Sequence, residues 1–117
     1  MASVFERIDT RAAFPVDING QVIHVCEPTF GEIDRIGAMA PKDKNGFDGR
    51  TGLTLALCIV TADGSKAFPA AESESDESLA RRVTEETKRL TPSALRAITD
   101  AIHKLIAPVD SVELAKN

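Results

Sequence analysis

The side chains best suited to chemistry are two histidines, His24 and His103, and two cysteines, Cys26 and Cys58. His24 and Cys26 are the one close pair, and alternation along a strand would direct both to the same face, which permits half of a zinc site. A complete site needs a second Cys or His cluster at ligand spacing, and the sequence contains none. We therefore expect no metal site and no cofactor.

A Cys58–His103 dyad would make the protein a small cysteine-dependent enzyme, since residues distant in sequence can meet in a fold. Cys58 lies in the most apolar segment, residues 53–60, where burial suppresses the thiolate that a nucleophile needs. His103 adjoins Lys104, on what the helical pattern indicates is the polar side of its helix. No phosphate-binding loop or nucleophile-elbow motif occurs. The sequence favours a protein that is not an enzyme, with both cysteines as buried thiols.

Length and composition predict one small domain over residues 1–117, because 117 residues with 43% hydrophobic content support a single core. The chain has no Trp or Tyr and a net charge of −4, so we expect no nucleic-acid binding. No run approaches the roughly 20 apolar residues of a membrane span, and the first residues lack the pattern of a signal peptide. We expect no membrane association and a cytosolic location.

The first regular element is predicted to be a β-hairpin through Asn19-Gly20, since this dipeptide between β-branched runs favours a two-residue turn. On the second strand Val22, His24 and Cys26 share one face. Ile23 and Val25 share the other, and we expect that second face to join the core.

Two helices are predicted next. Thr29-Phe30-Gly31-Glu32 is a capping box that opens the first helix, which should end before Pro41. Its expected inward stripe consists of Phe30, Ile33, Ile36 and Ala40. Residues 42–50 have the composition of a mobile surface loop. Residues 53–62 are ambiguous between a buried strand and a buried helix, and their length and Leu and Ala content favour a central helix.

The second half of the chain predicts two further helices after a turn at Asp63-Gly64 and a short extended return over residues 65–68. The acidic residues between 72 and 77 suit a helix N-terminus better than a calcium loop, whose ligand pattern they lack. The next helix should carry Leu79, Val83 and Leu90 on one side and the ion pairs Glu77–Arg81 and Glu85–Arg89 on its surface.

The last helix should begin at Thr91-Pro92, with threonine as the cap. Its apolar stripe comprises Leu95, Ile98, Ile102, Leu105 and Ile106, and we expect it to end at Ala107, before Pro108. The predicted fold is mostly α within the α+β class: an N-terminal hairpin followed by about four helices. We expect residues 1–13 to form a flexible arm and residues 108–117 a flexible tail.

The order of these features resembles the tail assembly chaperones of long-tailed, siphovirus-like bacteriophages and prophages. The resemblance rests on the Asn19-Gly20 hairpin, the Thr-Phe-Gly-Glu helix start, the Asp63-Gly64 turn, the two helices and the Ala115-Lys116-Asn117 ending. It covers nearly the whole chain, and its individual motifs are short.

The resemblance implies a protein of the host bacterial cytoplasm, without enzymatic activity or cofactor, that binds the tape measure protein and helps to recruit tail tube subunits. It also implies a homo-oligomer and, in many members, a longer form made by ribosomal frameshifting. Ala-Lys-Asn can be encoded by an adenine-rich heptamer on which ribosomes slip, so this chain could be the shorter product.

Contacts with a partner need apolar surface that can be covered and uncovered. We expect the outer side of the hairpin, at Val22 and His24, and the C-terminal segment, at Val109, Val112 and Leu114, to supply it. The alternative from another class is a structural virion component, such as a head–tail connector or a tail-end subunit.

Overall fold

The computed structural model describes residues 12–40, 44 and 46–116, with side chains placed as far as Ile106. In chain order it contains strands β1 (Phe14–Ile18) and β2 (Gln21–Val25) and helices α1 (Phe30–Gly37) and α2 (Gly49–Cys58). Strand β3 (Ile59–Val60) and helices α3 (Asp76–Thr87) and α4 (Pro92–Lys116) follow. The predicted fold class, an α+β domain with a hairpin and four helices, is confirmed.

The antiparallel sheet has the order β1-β2-β3 and is built on the predicted hairpin. Asn19 and Gly20 have φ values of 53° and 88°, as a two-residue turn with positive φ at both positions requires. The Asp17 carboxylate accepts a 2.9 Å hydrogen bond from the Gly20 amide and supports the turn. The predicted core face is confirmed at Val25, which is buried, while Ile23 is half-buried against the core.

Helix α1 begins with the predicted capping box, in which Thr29 and Glu32 each accept a hydrogen bond from the other's amide. The predicted inward stripe is wrong at Phe30, which is 71% exposed, and at Ala40, which is exposed and lies beyond the end of α1. Glu32 is buried instead. Lys66 explains the difference because its ammonium donates 2.8 Å to Glu32 Oε2 and 2.6 Å to the Leu57 carbonyl. This pairing compensates the burial of the carboxylate and ties α1 to the residues after β3.

The apolar segment of residues 53–62 forms a buried helix, as predicted, but the helix ends at Cys58, and Ile59 and Val60 pair with β2 as a third strand. The helix also starts earlier than expected, within the predicted loop, because the Asp48 carboxylate caps the amides of Arg50 and Thr51. The predicted extended return is present as a bridge between Val60 and Lys66.

Helices α2 and α3 pack closely because Gly52 has no side chain. A Cβ at this position would lie 2.6 Å from the carbonyl oxygen of Ala80 and 2.7 Å from Thr84 Oγ1. Leu79, Ala80 and Val83 are the buried residues of α3. The remainder of the core comes from α2, from Val25 and from Ile98 and Ile102 of α4.

The prediction that Leu90 lies on the apolar side of α3 is wrong. The helix ends at Thr87, and Leu90 lies in the following turn, where it is 37% exposed. Of the two predicted ion pairs, Glu77–Arg81 is present at 3.3 Å. The predicted Glu85–Arg89 pair is replaced by the pairs Glu85–Lys88 and Glu86–Arg89. Arg89 lies beyond the end of α3, so the helical geometry that brings side chains four residues apart together does not extend to it.

Helix α4 starts as predicted, with the Thr91 hydroxyl accepting a hydrogen bond from the Ala94 amide. The prediction that it ends at Ala107 is wrong, since the helix continues through Pro108 to Lys116. Proline removes one backbone hydrogen bond from a helix but has a helical φ, and Glu113, Leu114 and Ala115 favour helix after it. The expected arm falls on residues 1–13, of which residues 1–11 lie outside the described residues.

Candidate functional site

An apolar groove of about 450 Å³ lies where β2 and β3 meet the turn between α3 and α4. We call it the sheet groove. Its apolar lining residues are Val22, Ile23, Ile59, Val60, Ala67, Phe68, Val83, Leu90 and Ile98, and its polar ones are His24, Thr61, Glu86, Thr87 and Arg89.

Strand pairing fixes the sheet side of this groove. Val22 lies opposite Asp17 on β1, and His24 lies between Pro15 on β1 and Val60 on β3. Side chains two residues apart on a strand share a face, so Val22 and His24 are neighbours. Val22 and His24 both line the groove, as does Ile23 from the other face of β2, and the role of Val22 and His24 in partner binding stays a prediction.

The helical side of the groove depends on the turn after α3. The Leu90 amide donates a 2.9 Å hydrogen bond to the Thr87 carbonyl, which closes this turn and places Leu90 in the lining. Val22 and Leu90 are 56% and 37% exposed, respectively. Two large apolar side chains thus remain accessible beside one concave surface, and a partner that covers them gains hydrophobic stabilisation.

The groove has two charged lining residues of opposite sign, Glu86 and Arg89. Arg89 Nε lies 3.9 Å from Glu86 Oε2, and His24 is half-buried. A long contact between exposed side chains contributes little free energy. The groove is therefore suited to binding apolar side chains of a partner, with specificity supplied by the polar residues around it.

The predicted C-terminal contact residues are Val109, Val112 and Leu114. All three positions belong to α4, but their side chains lie outside the described residues. Their membership of a partner-binding surface stays a prediction.

The residues of the enzymatic alternative occupy different environments. Cys58 has no exposed surface, and its carbonyl accepts a 2.8 Å hydrogen bond from the Cys26 amide. His103 is exposed and lines a separate cleft between α2 and α4. Both cysteines are buried thiols, as predicted. Within the described residues, no three His, Cys, Asp or Glu side chains form a group that could hold a metal ion.

The acidic residues before α3 are engaged in structural contacts. Arg82 donates two hydrogen bonds to Glu74, of 2.8 Å and 3.2 Å, and together with the Ala71 amide they lower the pKa of Glu74 to about 2. A hydrogen bond from Arg35 likewise lowers the pKa of Asp76, and Ser75 caps α3. These contacts support the prediction that the cluster opens a helix.

Sequence reasoning did not assign Ile59, Phe68 and Leu90 to a binding surface. The predicted central helix over residues 53–62 includes Ile59, whereas the residue lies in β3 and lines the groove. The signal for Phe68 was the Asp63-Gly64 turn, which folds the chain back along β3. No local pattern located Leu90, since its position depends on where α3 ends.

None of the described helices is both long and apolar enough to cross a membrane. In comparisons with known proteins, this chain matches no protein-family model, no curated protein and no solved structure.

Proposed function

We propose that this protein is a non-enzymatic tail assembly chaperone of a long-tailed bacteriophage or prophage. In this role it acts in the host bacterial cytoplasm, binds the tape measure protein and helps to recruit tail tube subunits during tail assembly. It needs no cofactor and works as a homo-oligomer along the tape measure protein.

The sheet groove is the observation that carries this proposal. An assembly chaperone must cover apolar surface of its partner and later release it, so its binding surface has to be apolar, accessible and modest in area. Val22 and Leu90 meet these requirements, because each is exposed next to a concave apolar lining. Full burial of one such side chain contributes about 1.5–3 kcal/mol, which gives useful but reversible binding when few are involved.

The resemblance in the order of features supports the same role. The hairpin, the Thr29 capping box, the Asp63-Gly64 turn and the two final helices follow one another as in the tail assembly chaperones. The resemblance names the partner class, and the groove provides a surface where that partner can bind.

Co-expression tests the proposal directly. The very long reading frame expected downstream of this gene, encoding the tape measure protein, is expressed with and without this chain, and the soluble fraction is quantified. We expect this chain to raise the soluble yield of the tape measure protein and to elute with it as a complex. Equal solubility in both cases, with no complex, would refute the chaperone role.

Purified virions separate the chaperone role from that of a structural virion component. A chaperone leaves the finished tail, so mass spectrometry of purified particles should detect the tube protein and not this chain. Detection of this chain at a stoichiometric level would establish a connector or tail-end subunit in its place.

A further inference from the structure

A second concave surface, separate from the sheet groove, lies between α2 and α4 and has a volume of about 540 Å³. Its charged or titratable lining residues are Arg50, Arg96 and His103, and we call it the cationic cleft. As far as the structure describes this cleft, no carboxylate lines it. Two arginines line this cleft, in contrast with the net charge of −4 of the whole chain.

Arg50 is held in place from outside the cleft. Its Nε donates 3.1 Å to the Met39 carbonyl and its Nη2 donates 3.3 Å to the Gly37 carbonyl, which fixes the side chain at the end of α1. The two hydrogens on Nη1 and one on Nη2 take no part in these bonds. The Arg50 guanidinium therefore has a fixed orientation and retains N–H groups that can donate to a ligand.

Arg96 and His103 complete the set from α4. Both are exposed, and neither the Arg96 guanidinium nor the His103 imidazole makes a hydrogen bond or ion pair in the part of the molecule that the structure describes. They are seven residues apart, which is two helical turns, so they lie on one side of α4. The cleft thus contains an arginine from each wall and an imidazole on the α4 wall.

The other polar groups of the cleft are already used. The hydroxyls of Thr51, Thr54 and Thr99 donate, respectively, to the Asp48 carboxylate, the Arg50 carbonyl and the Arg96 carbonyl. The first amides of α2 donate to Asp48. Phosphate sites typically present backbone amides and hydroxyls to the anion, and here those donors are occupied.

The geometry points to a binding site for side-chain carboxylates of an acidic protein segment. Guanidinium groups pair with planar carboxylates through two parallel hydrogen bonds, and they do so without help from amides or hydroxyls. Leu95, which is half-buried in the lining, provides apolar contact for the stem of the incoming side chain. The ligand class is therefore a peptide segment that carries carboxylate side chains.

This site is independent of the proposed chaperone role, since it uses α2 and α4 and none of the residues that line the sheet groove. A cationic cleft on an acidic protein also favours association in one orientation, because the remaining surface repels an acidic partner.

Titration of the isotope-labelled protein, followed by amide NMR shifts, tests the site. The probe is a capped five-residue peptide that alternates leucine and glutamate, and its matched control replaces each glutamate by glutamine. We expect the glutamate peptide to shift the amides of Thr54, Thr99 and His103 with a dissociation constant on the order of 1 mM. The glutamine peptide should bind at least about threefold more weakly.

Arg96→Gln should weaken binding of the glutamate peptide about threefold or more, because it removes one of the two guanidinium groups. Lys88→Gln is the matched control, since Lys88 is an exposed cation on α3 that pairs with Glu85 and does not line the cleft. It should leave binding unchanged, and an unaltered amide spectrum for both variants excludes misfolding.

Three results would overturn the proposal. One is equal binding of the glutamate and glutamine peptides. Another is the absence of shifts at these amides up to roughly 10 mM peptide. The third is saturation of the same amides by inorganic phosphate at concentrations where the glutamate peptide has no effect, which would make the cleft a phosphate site.

Discussion

Replacing Gly52 by alanine should destabilise the fold through the contact between α2 and α3. The added Cβ would lie 2.6 Å from the Ala80 carbonyl oxygen and 2.7 Å from Thr84 Oγ1, whereas ordinary contacts of this kind begin at 3.4 Å. The Thr84 hydroxyl donates a 2.7 Å hydrogen bond to the same Ala80 oxygen. Neither atom can retreat alone, so the two helices would have to move apart.

Two opposing effects set the magnitude. Alanine is favoured over glycine within a helix by about 1 kcal/mol. Overpacking of a buried site typically costs about 1–3 kcal/mol, and the upper value applies here because one contact atom belongs to the backbone of α3. The free energy of unfolding should therefore fall by about 2 kcal/mol. For a domain of this size that lowers the midpoint of thermal unfolding by roughly 8 °C.

Urea and thermal unfolding, followed by far-ultraviolet circular dichroism, measure both quantities. Gly37→Ala is the matched control, because Gly37 is also helical and a Cβ there meets nothing within 4 Å. That variant should be as stable as the parent protein or more stable by up to about 1 kcal/mol. A Gly52→Ala variant that is no less stable than the Gly37→Ala variant would refute the close approach of α2 and α3.

Three further predictions concern the Lys66–Glu32 ion pair, the stability at low pH and the two thiols. Lys66→Met should lower the free energy of unfolding by about 3 kcal/mol in urea titrations, and by more than Glu32→Gln, because it removes the compensating ammonium from a charged carboxylate that is only 8% exposed. The pKa of Glu74 is lowered from 4.5 to about 2, so its contribution is fully present above pH 4.5 and is lost as the pH falls toward 2. As the pH falls from 4.5 to 2, the free energy of unfolding of Glu74→Gln, measured by urea titration, should therefore decrease less than that of the parent protein. An equal decrease in the two proteins would contradict this. A thiol reagent should label Cys26 and Cys58 only in denaturant, and rapid labelling of the native protein would contradict their burial.

Local sequence signals are sufficient to predict where an element begins or turns when its end is fixed by residues close to it in the chain. The Asn19-Gly20 turn and the caps at Thr29 and Thr91 were all predicted, because each involves hydrogen bonds within three residues along the chain. The burial of Leu53 to Cys58 followed from composition alone.

Features set by distant contacts were not predictable in this way. Glu32 looks like a surface residue of α1 until Lys66, 34 residues later, is placed beside it. The third strand and the full length of α4 likewise depend on tertiary pairing and on a proline that the helix tolerates.

The same distinction between local and distant contacts holds for the sheet groove and the cationic cleft. The predicted face of Val22 and His24 belongs to the sheet groove, but its partner Leu90 comes from a turn that no periodicity marks. The cationic cleft is not predictable from the sequence, because Arg50 and Arg96 are far apart along the chain and line one cleft only where α2 and α4 form its walls.

The central claim is that the sheet groove binds the tape measure protein, and co-purification of matched variants tests it most directly. Val22→Glu places a charge in the groove, whereas Phe30→Glu places one at an exposed apolar residue of α1 that does not line it. Each variant is co-expressed with the tape measure protein, and the amount that elutes in the complex is measured. The account predicts that Val22→Glu loses at least about tenfold of the complex, equivalent to about 1.4 kcal/mol, while Phe30→Glu retains it. Equal retention by both variants, with both correctly folded, would contradict the claim.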